Sequence, residues 1–144
     1  MKNVRLFTLA LAATALLATL AWDVTPAPSP DRDAIMKTIE NFYIGDHTGS
    51  LEHKKLSMHP EGAYRYVDRE GIYGESQFRF EEGGGDMMYE EELLSIEIYE
   101  NVALARLRLV NQRREEPEYK LMTLHRSNEG WRITTIAWGW GIIH

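Results

Sequence analysis

The sequence predicts an α+β domain in which N-terminal helices pack on a curved antiparallel sheet. Three observations carry this reading. About fifty C-terminal residues break into the runs Leu93–Tyr99, Val102–Val110, Tyr119–Arg126 and Trp131–His144, with turn chemistry at Glu100-Asn101, around Glu116-Pro117 and at Asn128-Glu129-Gly130. Those runs alternate with period two, the spacing that puts every second side chain on one face of a strand. Ahead of them Ile35, Ile39, Phe42 and Tyr43 recur at i, i+4, i+7 and i+8, the apolar stripe of an amphipathic helix. Helices followed by hairpin-linked strands define the class.

The chain opens on a basic segment, Met1–Arg5, and an apolar run, Leu6–Ala21, that ends in small residues. That order suits a signal peptide spanning 1–21. A run of about sixteen residues falls short of the roughly 20 that a membrane-spanning helix needs, although an uncleaved anchor is the alternative reading. Residues 22–30 form a linker containing Pro26, Pro28 and Pro30, and the domain is expected over 31–144. The end of the linker starts a helix. Ser29 is a good N-cap, Pro30 suits the first helical position, and Asp31 and Asp33 sit where the helix dipole favours anions. Gly45 is expected to stop that helix, and a second one is expected from about Ser50 to Leu56.

His59-Pro60-Glu61-Gly62 reads as a turn, because the residue before proline is pushed out of the helical region. Ala63–Val67 then alternates as a strand and Asp68–Gly71 reverses the chain. Ile72–Phe80 is ambiguous between a helical turn and a short strand, and Glu81–Asp86, with three consecutive glycines, reads as a flexible loop. In the sheet Leu94, Ile96 and Ile98 share a face, as do Ala103, Ala105, Leu107 and Leu109. Tyr119, Leu121, Thr123 and His125 oppose Lys120, Met122, Leu124 and Arg126. The last strand is apolar on both faces near its end, with Ile136, Trp138, Trp140 and Ile142 on one of them. Such a strand calls for a helix on one side and a partner subunit on the other, so a homodimer through the sheet is expected.

The formal charge is −6, and without Lys2 and Arg5 the remainder stands at −8. That balance argues against nucleic acid or an anionic membrane surface as a partner, since both require clustered Lys and Arg. With no cysteine, thiol catalysis, lipid attachment at cysteine and disulfide staples are all excluded. A domain exported without disulfides points to a bacterial periplasmic or secreted location.

Taken in order, several segments resemble the NTF2-like superfamily, in particular its lumazine-binding, SnoaL-like branch. They are Asp33–Gly45, Leu56–Ala63 with its His59-Pro60 step, the hairpin Leu94–Ala105, and the final hairpin formed by Tyr119–His125 and Gly130–Ile133. Glu100 stands where that hairpin usually carries glycine. The resemblance implies a cone-shaped α+β fold whose helices close one end of a concave sheet, commonly dimeric through the sheet's outer surface. It leaves chemistry open, because one fold hosts many functions.

The expected function is binding of a small apolar or aromatic molecule in the cone, without a cofactor. A ketosteroid-isomerase-like or dehydratase-like enzyme is one alternative, and a dimeric interaction module with a filled pocket is the other. Candidate ligand contacts are Tyr43, His59, Tyr64, Tyr66 and Trp138. Aromatic rings with polar tips suit the wall of such a pocket. His59 and His125 are the candidate acid–base groups, since imidazole titrates near neutral pH. His47, His53 and His59 recur every six residues, a spacing that does not share one helix face, so no metal site is expected. The acidic flanks of the glycine run would repel a phosphate, and no Gly-x-Ser-x-Gly elbow occurs. Glu90-Glu91-Glu92 reads as a solvated strand edge.

Overall fold

A computed structural model describes residues 29–68, 70–85, 89–111 and 117–140. The expected signal segment 1–21, most of the linker and Ile142 lie outside the described residues, as does the side chain of Trp140. The elements run α1 (Pro30–Thr48), α2 (Leu51–Ser57), β1 (Met58–Val67), β2 (Tyr73–Gln77), β3 (Tyr89–Tyr99), β4 (Val102–Asn111), β5 (Glu118–Ser127) and β6 (Gly130–Trp140). The six strands form one sheet in the order β2-β1-β6-β5-β4-β3. Every neighbouring pair is antiparallel except β1 and β6, which run parallel. The all-antiparallel sheet expected above is therefore a mixed one: turns reveal which consecutive strands pair, whereas β1 and β6 lie some seventy residues apart in sequence. The two helices cover the concave face, so the fold is α+β and cone-shaped, with the core between the layers.

Both helix starts follow local chemistry. Ser29 accepts from the Arg32 amide at 3.1 Å with Pro30 in the first turn, and Ser50 caps α2 in the same way through the His53 amide. Asp31 does more than favour the helix dipole. Its carboxylate accepts from Arg126 at 2.8 and 2.9 Å and from the Trp131 indole at 3.1 Å, tying the start of α1 to the β5–β6 hairpin. The end of α1 differs from expectation. The helix runs through Gly45 and stops at Gly49, whose φ of 74° is the left-handed conformation that glycine adopts without penalty. Gly45 is buried for another reason: a Cβ there would sit 3.1 Å from the Lys54 backbone, so its absence lets α2 pack closely against α1.

The core comprises Ile35, Ile39 and Phe42 of α1 together with Ala103, Ala105, Leu107, Met122, Leu124, Trp131, Ile133 and Ile136 from the sheet. A register irregularity between Leu93 and Ser95 shifts the expected β3 face: Leu93, Ile96 and Ile98 pack on the core, while Leu94 is exposed. A second irregularity, opposite Thr123 and Leu124, puts Ile133 and Ile136 on the same inner face. On β5 the inward residues are Glu118, Lys120, Met122 and Leu124. The segment Ile72–Phe80 resolves into strand β2 followed by irregular chain in which Phe78 is buried.

Candidate functional site

The C-terminal end of α1, the body of α2, β1, β2 and the glycine loop border a cavity of about 390 Å³ that is open to solvent on one side. Asp46, Lys54, Met58, Tyr64, Ser76, Gln77 and Arg79 line it, with Glu81–Gly84 closing one side. The glycine run is pinned rather than loose. The Gly83 amide donates to the Gly49 carbonyl at 3.0 Å, and Lys54 Nζ donates to the carbonyls of Glu81 and Gly83, each at 2.8 Å. A Cβ on Gly85 would approach the Thr48 carbonyl carbon to 2.3 Å, so only glycine lets the loop lie against the α1–α2 turn.

Behind Asp46 lies a buried ionic cluster. Lys120 Nζ donates to Glu91 Oε1 at 2.7 Å, to the Tyr89 hydroxyl at 3.3 Å and to Asp46 Oδ2 at 3.4 Å. Tyr89 donates its own proton to Asp46 Oδ2 at 3.2 Å. The Lys120 ammonium also stands 4.9 Å from the centre of the Phe42 ring and 5.0 Å from that of Tyr89. The Lys120 and Glu91 side chains are 7% and 3% exposed, so the charges must satisfy one another rather than water. His47 steadies the surround: its Nε2 lies 2.9 Å from the Tyr89 carbonyl oxygen and its Nδ1 3.0 Å from that of Tyr43.

Tyr64 joins cluster and cavity. Burial first, and then the Asp46 carboxylate, push its hydroxyl well above the usual phenol range, against the opposing pull of Lys120. Burial and Asp46 raise Tyr89 in the same way. Both phenols are therefore protonated donors at any physiological pH. Among the described residues, the Tyr64 hydroxyl and Asp46 Oδ1 take no hydrogen bond, although both residues line the cavity.

Of the residues singled out from sequence, Tyr64 reaches this cavity and the others lie elsewhere. Tyr43 stacks on the His47 ring at 3.9 Å, and Tyr66 packs near Trp138 with ring centres 6.1 Å apart. The Trp138 indole donates to Glu118 Oε2 at 3.1 Å. His59 Nδ1 accepts the Glu61 amide at 3.2 Å inside β1: the expected turn at His59–Gly62 is instead strand, irregular where the β1–β6 register shifts between Met58 and Ala63. His125 is exposed on the convex face, 2.8 Å from Thr134 Oγ1, because Met122 and Leu124 draw the opposite face of β5 inward. Glu91 corrects the solvated-edge reading of its triplet, since only Glu90 and Glu92 face solvent.

Asp46, Glu91 and Lys120 were missed, yet each left a trace. Asp46 continues the stripe of Ile39 and Phe42 one turn on, and Gly45 hid it by seeming to end the helix. Lys120 is in step with Met122 and Leu124, and Glu91 with Leu93. A charged residue in phase with an apolar face is the signal.

No protein-family profile matches the chain, and no curated protein matches it. Solved structures do. An NTF2-like protein of unknown function from Shewanella baltica OS155 superposes with a TM-score of 0.60 at 11% identity, covering 78% of this chain and 94% of its own. Another from Methylobacillus flagellatus KT gives 0.60 at 16% identity, over 81% and 97%. A protein of Novosphingobium aromaticivorans, provisionally named an aromatic ring hydroxylase, gives 0.54 at 12% identity, over 81% and 92%. The chain has the NTF2-like fold.

Proposed function

We propose that this domain is an exported binding protein that holds a small molecule with an apolar or aromatic body in the cavity beside Tyr64. One observation carries the reading. A cavity of about 390 Å³ sets the Tyr64 ring and the Met58 side chain beside two unspent polar atoms, Asp46 Oδ1 and the Tyr64 hydroxyl. That volume falls in the range of small-ligand sites, where apolar walls supply area and a few polar atoms fix orientation. The basic and apolar opening, Met1–Ala21, supports export to the periplasm or beyond. Exposed Leu104, Val110 and Leu121 on the convex face support pairing of two copies there.

Native mass spectrometry of the protein recovered from a periplasmic extract tests all three parts. The expected species lacks residues 1–21, is a dimer and carries retained ligand. Ligand-free protein that also gives no thermal shift with a panel of aromatic small molecules overturns the binding reading.

A second reading, catalysis, is favoured by one specific feature. A carboxylate, Asp46, and a phenol held protonated, Tyr64, line the same cavity, a pairing suited to moving a proton while a donor stabilises the developing charge. Under it, Asp46→Asn lowers turnover at saturating substrate by roughly 10²–10⁴-fold, beyond any change in ligand affinity. Equal turnover by the variant overturns it.

A further inference from the structure

Among the described residues, the buried cluster behind the cavity holds more negative charge than it spends. Asp46 and Glu91 bring two carboxylates and Lys120 one ammonium. The ammonium uses Glu91 Oε1 and Asp46 Oδ2, and Tyr89 uses the same Asp46 oxygen. Asp46 Oδ1 is left for whatever enters the cavity. Glu91 gives an independent sign of the same excess. Its side chain is 3% exposed on the inner face of β3, and Oε2 has no hydrogen-bond partner among the described residues. Glu91 does not line the cavity itself, so its unpaired oxygen acts through the negative potential it adds around Lys120 and Asp46.

The cluster also displays how it treats a cation. Carboxylates and the ring faces of Phe42 and Tyr89 together solvate the Lys120 ammonium in place of water. Cations near the entrance do not reverse the balance. Lys54 is turned onto the carbonyls of Glu81 and Gly83, and the exposed Arg79 lines the same cavity as Glu81 and Glu82, whose two charges offset those of Arg79 and Lys54.

We infer that the cavity takes a small protonated amine on an aromatic or apolar body. Its ammonium docks on Asp46 Oδ1 beside the Tyr64 hydroxyl, and its body lies along Tyr64 and Met58. The inference rests on the cavity-binding reading and adds charge to it.

Isothermal titration of the full chain with tryptamine, tryptophol and indole-3-acetate tests it, because one indole body then ends in an ammonium, a hydroxyl or a carboxylate. Tryptamine is expected to bind at least about tenfold more tightly than either of the others. Raising salt from about 0.05 to about 0.5 M is expected to weaken tryptamine and leave tryptophol unchanged, a readout that needs no variant. Asp46→Asn, checked for folding by circular dichroism, is expected to bring tryptamine within about twofold of tryptophol. If tryptophol or indole-3-acetate binds the unaltered protein as tightly as tryptamine, the amine inference falls while the cavity reading stands. If none of the three binds, the amine inference also falls, and the cavity reading is then decided by the wider aromatic panel and by retained ligand.

Discussion

The two ends of the inner face of β5 differ sharply, although they belong to one strand. Met122 and Leu124 are fully buried with Ile35, Trp131 and Ile133 in the apolar core, and that end adds to its packing the Asp31 clamp and the neutral Thr38 hydroxyl on the Trp131 carbonyl. Two to four residues earlier, Lys120 and Glu118 are also buried yet polar, opposite the last turns of α1. The contrast separates two ways of filling a cone. Apolar side chains gain from leaving water wherever they pack, so their end needs shape alone. Buried charges must be matched atom by atom, so the other end is costly to build and carries the unspent oxygens that could meet a ligand.

The largest expected effect breaks the charged end. Lys120→Ala leaves the Glu91 and Asp46 carboxylates without their ammonium and should cost about 3–5 kcal/mol in chemical denaturation. The paired change Lys120→Met with Glu91→Leu should recover most of that loss, which a purely steric role for Lys120 would not allow. At the apolar end, Leu124→Ala should cost about 2–4 kcal/mol by opening a cavity, and no second substitution of charge should rescue it.

Alkaline pH separates the ends without mutation. The Tyr64 phenol has its folded pKa raised above the unfolded value, so the unfolded chain ionises first and stability is lost as pH rises past about 10. The expected slope is up to about 1.4 kcal/mol per pH unit from Tyr64, with a further loss in the same direction from Tyr89. Tyr64→Phe should flatten the curve, whereas Leu124→Ala should shift it down without changing its shape.

The smallest effect sharpens the comparison at the rim of the apolar end. Glu100, in the β3–β4 turn, has a φ of 54°, a left-handed conformation that asparagine tolerates better than glutamate. Glu100→Asn should therefore stabilise by about 0.5 kcal/mol in thermal unfolding and leave ligand binding untouched.

Much of the fold was legible because its signals are local. The Ser29 cap, the turn at Asn128–Gly130 and the alternation of Ala103 through Leu109 each depend on residues a few positions apart. The candidate site was legible only at Tyr64. His59 and His125 attracted attention by residue type, but a hydrogen bond from the Glu61 amide and the inward pull of Met122 and Leu124 decided where they point. Gly45 misled in the same way, since a helix glycine can mark an end or a close approach and only the position of Lys54 tells which.

What this sequence determined by itself is the set of elements and their local pairing, because caps, turns and two-residue alternation act through bonds between near neighbours. Tertiary structure alone decided which face of each strand looks inward, that β1 lies parallel to β6, and that Asp46, Glu91 and Lys120 converge from three elements. The physical reason is that alternation defines two faces without ranking them. The ranking comes from the layer packed on the other side, and buried charges are affordable only where that layer brings their partners within reach.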